Sequence, residues 1–350
     1  MVRDRRHCLT PSMSPPPRPS HPAASGSPAV PESTVARCLE FPTRDDLRFL
    51  PEGPYPLPPS SGGDGFSWVA IQHGGDSTVG SLNRYYFDDD RHESFDLPGR
   101  PGFAFPTDRE GVYVVGCERS IGLFDCGDRS WRVLADGVDA DVDNTIINDG
   151  VIAGGDLIFG CKELEFKTPK AGLYLFRGGT GELVRLRDDQ ICSNGKAVLS
   201  DDGDVVEFLD IDSPSRKIVR YRLHRRSAEL SESETVVDFD GDAAVPDGQT
   251  LTPDGKHLIV AMFRPEAASH GETRMYSVAS GRLVRTWTTE GSPQNTCPVL
   301  VPRGDRSELI ITTAVENLSA DDQQRCPHAG RLFAAETAFP SAPTVTFPIG

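Results

Sequence analysis

Four pairs of an acid or amide followed by glycine are the residues of this chain best suited to chemistry: Glu52-Gly53, Asp149-Gly150, Asn194-Gly195 and Asp247-Gly248. They begin at positions 52, 149, 194 and 247, so the successive gaps are 97, 45 and 53 residues. That is one period of about 45–50, with the first gap counting twice. Asn-Gly and Asp-Gly are ordinary hairpin signals. The last three pairs, however, each precede a short strand and then a second, sufficient turn: AGGD at 153–156, DDGD at 201–204 and PDGK at 253–256. In VPDGQTLTPDGKHLIV, Val245 to Val260, the tripeptide Pro-Asp-Gly occurs twice. The second copy is a turn opening a strand: Pro fixes the first turn angle and Gly supplies a positive φ. The first copy needs another reason. Carboxylates and amide carbonyls are hard oxygen ligands that suit Ca²⁺, Mg²⁺ or Mn²⁺. Two carboxylates forced together without a cation would repel and take up a proton instead. Three protein ligands with open positions form a catalytic rather than a closed structural geometry.

The elements that must position these residues are strands. From about residue 35 onward, short β-rich runs such as FSWVAIQ, GVYVVGC, DLIFGC, GLYLFRGG, IVRYRLH, HLIVAMF and ELIITTAV alternate with Gly, Asp and Pro. No long window carries apolar residues at helical spacing without a turn residue interrupting it. Strand–turn–strand–turn–strand–strand at this period is the signature of a propeller blade. Residues 46 to 350 leave room for six blades, so the expected fold is an all-β, six-bladed β-propeller forming a single domain over 35–350. VARCLEF, Val35 to Phe41, is placed to add a strand to the last blade and close the ring. In a propeller the innermost strand of each blade starts near one mouth of the central channel. Residues about 50 apart in sequence therefore converge, and Glu52, Asn194 and Asp247 are expected to face one another there.

The ordered motifs EGP (52–54), NDG (148–150), SNG (193–195) and PDG (246–248), with AGRLF (329–333) near the end, resemble the senescence-marker-protein/gluconolactonase/regucalcin family. The resemblance covers roughly residues 46–345. It implies a six-bladed propeller with a divalent cation in its channel and, in many members, hydrolysis of sugar lactones. Carried over motif by motif, it implies Glu52, Asn194 and Asp247 as metal ligands, Asp247 also as general acid/base, and Asn148 as a contact to substrate or a bound water. Alignment of the repeats alone picks Asp149 instead of Asn148. The cation implied is Ca²⁺ first, with Zn²⁺, Mg²⁺ or Mn²⁺ as alternatives. Sugar-lactonase members often carry an Arg two residues before the NDG Asn, and here that position is Ile146. A guanidinium fork suited to hydroxyls or carboxylate is thus missing. A further substrate contact maps to Glu165 in CKELEFKTPK, with Glu163 competing for the role, and Lys162 or Lys167 as replacement positive charges. As residue types in a charged stretch, these four read first as solvated loop charges.

The remaining composition narrows the functional class. A net charge of −16 argues against a nucleic-acid or anionic-membrane partner, and no apolar run approaches the length needed to span a bilayer. The expected partner is a small-molecule lactone or ester, and the expected state is a monomer or weak oligomer. Residues 1–34, rich in Pro and Ser, read as a disordered tail or as a start ahead of Met13, with no secretory signal. Eight cysteines without a CxxC pair give no structural zinc site and read as small buried thiols in a reducing cytoplasm. His328, in RCPHAGRLF, is the histidine nearest a motif and reads as structural. No GxSxG, P-loop or GxGxxG motif is present. Two other readings fit the pattern: a non-catalytic propeller that binds Ca²⁺ or a small ligand, and an interaction propeller whose turns are merely turns.

Overall fold

A computed structural model describes residues 31–231 and 234–350. Six antiparallel sheets follow one another along the chain. Blade 1 comprises Pro51–Pro56, Gly65–Ala70, Ser81–Tyr86 and Arg91–Asp96. Blade 2 comprises Pro101–Pro106, Val112–Cys117, Ser120–Asp125 and Trp131–Ala135. Blade 3 runs through Thr145–Ala153, Asp156–Glu163, Ala171–Arg177 and Leu183–Gln190. Blade 4 has Ser193–Asp201, Val205–Asp212 and Lys217–His224, with Glu229–Leu230 and Glu234–Asp238 both pairing to the third strand. Blade 5 holds Val245–Leu251, His257–Phe263, His270–Ser277 and Leu283–Glu290. Blade 6 holds Asn295–Arg303, Arg306–Thr313 and Phe333–Pro340. The six-bladed propeller is as expected, and the double gap between 52 and 149 contains blade 2, whose inner strand starts with Pro101-Gly102.

The ring closes through the segment expected to close it. Arg37–Cys38 pairs antiparallel with Phe333–Ala334 as the outer strand of blade 6. Just before it, Glu32–Val35 pairs in parallel with Arg285–Thr288 on blade 5. The boundary expected at 34/35 therefore moves back to about 31, while the rest of the expected tail, residues 1–30, lies outside the described residues. The other end of the chain runs across blades 1 and 2. The Tyr55 hydroxyl donates to the Val345 carbonyl (3.0 Å), Phe347 N donates to Pro106 O (2.9 Å), and the buried Phe347 ring packs near Phe176 of blade 3.

The apolar runs are nearly continuous because each blade is covered on both sides. Successive side chains on a strand point to opposite faces. In HLIVAMF, Leu258, Val260 and Met262 join the core shared with blade 4, whereas Ile259 joins the one shared with blade 6. Six such cores fill the six blade interfaces, the one between blades 6 and 1 built on Phe66, Trp68, Val299, Val301 and Ile310. The described cysteines are free thiols; Cys38 is half-buried and the others are buried. Among the described residues the one α-helix is Ala320–Arg325, capped by Ser319, whose hydroxyl accepts from Asp322 N at 3.1 Å. It is too short to show as a periodic pattern, and among the described residues no helix is long and apolar enough to cross a membrane.

Candidate active site

All six inner strands carry one extra residue at the same level. The ladder shifts between Glu52 and Tyr55, Pro101 and Phe103, Ile147 and Asp149, Asn194 and Ala197, Pro246 and Gln249, and Asn295 and Cys297. A bulge of this kind bends a strand and re-aims its side chains. The acid-Gly and amide-Gly pairs thus sit inside strands, at bulges, and not in turns as their composition suggests. Gly150, Gly195 and Gly248 serve close approach between blades, whereas Gly53 has room for a Cβ and is set apart by its φ of +51. A Cβ on Gly195 would lie 2.6 Å from Asp247 O, and one on Gly248 would lie 2.5 Å from Cys297 Sγ.

The bulges deliver Glu52, Asn148, Asn194 and Asp247, from blades 1, 3, 4 and 5, to one cavity of about 460 Å³. Three of the sequence-derived candidates and Asn148 are therefore brought together. Asp149, which repeat alignment preferred, lines a different cavity with Lys196 and Gln249. In the ladder Ile147 pairs with Cys161 and Asp149 with Gly160, which leaves Asn148 as the unpaired bulge residue. Ile146 is buried opposite Lys162 and does not line the cavity, but Lys162 does. Glu165 lies outside it, exposed and paired with Lys167 at 3.0 Å. Glu163 is also outside the lining: it is buried, and its carboxylate accepts from Lys167 N (2.8 Å) and Asn144 Nδ2 (3.0 Å). Burial raises its pKa, but backbone N–H groups, led by that of Lys167, hold the carboxyl below its usual value. Glu163 therefore anchors its loop. His328 does not line the cavity, and its Nδ1 lies 3.0 Å from Glu290 O.

One hydrogen-bond chain orients the amides. Ser213 Oγ donates to Pro246 O (2.7 Å), which commits its only hydrogen, so toward Asn194 it can only accept. Asn194 therefore turns its Nδ2 to Ser213 (2.9 Å) and its Oδ1 the other way, where Asn148 Nδ2 donates to it at 2.7 Å. A carbonyl oxygen has two lone pairs, and one on Asn194 remains free. Ser213, one of two serines in the turn DSPS, carries no sequence signal for this role.

The electrostatics of the cavity are short of positive charge. Burial, then the nearby Asp149 carboxylate, pushes the Glu52 pKa up to about 8. Burial, then Glu52, raises Asp247 well above the carboxylate range, and Lys162 opposes both shifts. Asp247 Oδ1 is buried and has no hydrogen-bond partner. An orphaned carboxylate oxygen, a second carboxylate and an amide oxygen with a spare lone pair are a hard-oxygen set that fits a divalent cation. Among the described residues no three His, Cys, Asp or Glu side chains cluster as an ion site, so the set depends on the amide as its third member.

Residues 52–315 match the model of the SMP-30/Gluconolactonase/LRE-like region. The chain belongs to that family. A putative sugar lactone lactonase of Bacillus subtilis is 31% identical over 182 residues, covering 52% of this chain and 58% of that protein. The match thus spans little more than half of that relative's length. An L-arabinolactonase of Azospirillum brasilense is 26% identical over 254 residues, covering 72% of this chain and 79% of the relative. Among solved structures, a calcium-binding regucalcin from Agrobacterium tumefaciens superimposes with a TM-score of 0.74 at 20% identity. That superposition covers 90% of this chain and 98% of the other, and it establishes the shared fold.

Proposed function

We propose that this family member is a divalent-cation-dependent hydrolase of the gluconolactonase type that opens a lactone or related ester. The observation that carries the reading is the convergence of Glu52, Asn148, Asn194 and Asp247 on one cavity, with Asp247 Oδ1 buried and unpartnered. Glu52, Asn194 and Asp247 would hold the cation, Ca²⁺ first among the candidates. When bound, it would supply a Lewis acid for the ester carbonyl and restore the ionised form of both carboxylates. Asp247 is the group placed to act as general base. Its carboxylate takes one proton from the attacking water as the new C–O bond forms. When the ring C–O bond breaks, the same proton goes to the leaving alkoxide, giving a hydroxy acid. Asn148 presents an amide to the cavity for substrate or water, held by its bonds to Asn194 and to Ser193 O (2.9 Å). Lys162 is the cavity cation without a hydrogen bond or ion pair to any described residue, and it faces the region where negative charge develops.

The test is lactone hydrolysis by the purified chain, with and without Ca²⁺, alongside Asp247→Asn. This variant keeps the side-chain volume and removes the base, so turnover should fall at least 10²-fold with the unfolding curve preserved. Equal turnover by wild type and variant would refute the mechanism.

A further inference from the structure

The inner-strand bulges supply Glu52, Asn148, Asn194 and Asp247, and Lys162, Ser213, Arg216, Glu316 and Asn317 add polar groups from other segments; the rest of the wall is largely apolar: Leu50, Phe166, Pro214, Val245, Phe263 and Pro265. Phe166 is the unusual member. It is 44% exposed and held at φ +54, a left-handed conformation rare for a bulky side chain. Phe166 N donates to Glu163 O (3.1 Å), and the buried Glu163 carboxylate ties the rest of the loop. Two other residues of the same lining, Arg216 (φ +57) and Asn317 (φ +62), are also left-handed. Arg216 is committed to the Asp242 and Ala244 carbonyls at 2.7 and 3.0 Å. Strain kept at a cavity points to a use for the geometry it enforces, and here the enforced result is an aromatic ring presented at the cavity.

We propose that this cavity takes lactones carrying a hydrocarbon substituent, alkyl or aryl, in preference to polyhydroxylated sugar lactones. The inference rests on the hydrolase reading above for the placement of the ester group and adds the class of substrate. Hydroxyls turned toward Leu50, Val245 and Phe263 would give up water without gaining partners, which disfavours a sugar ring. A hydrocarbon body against the same wall, covered by the Phe166 ring, gains with every methylene removed from water. Phe166 is the specificity-determining residue of this arrangement. Asn at that position tolerates the left-handed backbone while removing the ring.

Calorimetric titration of the Ca²⁺-loaded full chain with two δ-lactams tests this. Both are lactone isosteres that resist opening, one bearing a butyl group and the other three hydroxyls. The butyl lactam should bind at least tenfold more tightly, on the order of the discrimination a pocket achieves per methylene. Phe166→Asn should remove most of that advantage. Equal binding, undetectable binding of both, or preference for the hydroxylated lactam would overturn the proposal. Turnover of the corresponding lactones is scored separately. Butyl preference without any turnover sinks the hydrolase reading alone; turnover with the hydroxylated lactone preferred sinks the substrate class alone.

Discussion

Gly248 and Gly255 end two copies of the same tripeptide, Pro-Asp-Gly, and the structure favours glycine at each for a different reason. On Gly248, a Cβ would meet the Sγ, Cβ and Cα of Cys297 at 2.5, 2.6 and 2.7 Å. The Cα belongs to the inner strand of the next blade, so relief requires shifting one inner strand against another. Overpacking of that kind costs about 1–3 kcal/mol. On Gly255, φ is +66 and nothing lies within 4 Å, so only the backbone conformation is at stake. Ala there should cost about 1–2 kcal/mol, and Asn clearly less, because its short polar side chain tolerates the left-handed region. Asn therefore separates the two sites: Gly255→Asn should be nearly neutral, while Gly248→Asn should be worse than Gly248→Ala. Denaturant unfolding of the four variants measures this, and Ca²⁺ titration adds a second readout. Gly248 adjoins Asp247, so its substitution should weaken Ca²⁺ binding, and substitution of Gly255 should not. Gly255→Asn proving as damaging as Gly255→Ala, or Gly248→Ala leaving both stability and Ca²⁺ binding intact, would refute the reasoning.

Ser213→Ala removes the acceptor that fixes the Asn194 amide, and Ca²⁺ affinity should fall about 10–100-fold, as for lost outer-shell partners elsewhere; calorimetry showing an unchanged Kd would dismiss that role. Lys162→Met removes the ammonium that opposes the Glu52 and Asp247 shifts, so Ca²⁺ should bind about tenfold more tightly even as lactone turnover drops. Weaker Ca²⁺ binding in this variant would contradict the electrostatic account. His92 stacks on Trp68 with ring centroids 4.9 Å apart, and burial lowers its pKa. Below the ordinary histidine pKa of about 6.5 the unfolded chain then binds more protons than the native one. The associated stability is complete above that pH and is lost as pH falls toward the folded value. His92→Gln should therefore flatten the stability loss between pH 7 and 5, and parallel profiles for the two proteins would count against it.

The blade repeat and its consequence, convergence of Glu52, Asn194 and Asp247, were legible because turn residues and apolar runs repeat at a fixed period. The strand that closes the ring was legible for the same reason. The choice between Asn148 and Asp149 was not, because it depends on which residue occupies the bulge, and a one-residue slip reverses the direction of a side chain. The Gly partners of the motif residues were read as turn formers, although at Gly150, Gly195 and Gly248 contact with the neighbouring blade requires them. In CKELEFKTPK the charges suggested an exposed loop. In fact Lys162 and Glu163 finish the second strand of blade 3, and only the residues after them enter the loop. Lys162 therefore reaches the cavity while Glu165 does not. Ser213 and Phe166 were illegible for a different reason: one acts through a single hydroxyl, the other through a backbone angle, and neither leaves a compositional trace.

The pairing of Arg37–Cys38 with Phe333–Ala334 joins segments that are synthesised far apart in time. At about 5–20 residues per second, on the order of 15–60 s separates their emergence from the ribosome. During that interval Phe66 and Trp68 on blade 1 have no blade 6 to cover them, because Val299, Val301 and Ile310 are still to come. The nascent protein is thus an open arc with a sticky leading face, whose natural cover is its own last blade or, failing that, the last blade of another copy. Expression yield and chaperone demand should accordingly respond to the first blade and the last as a pair, and far less to substitutions confined to the blades between them.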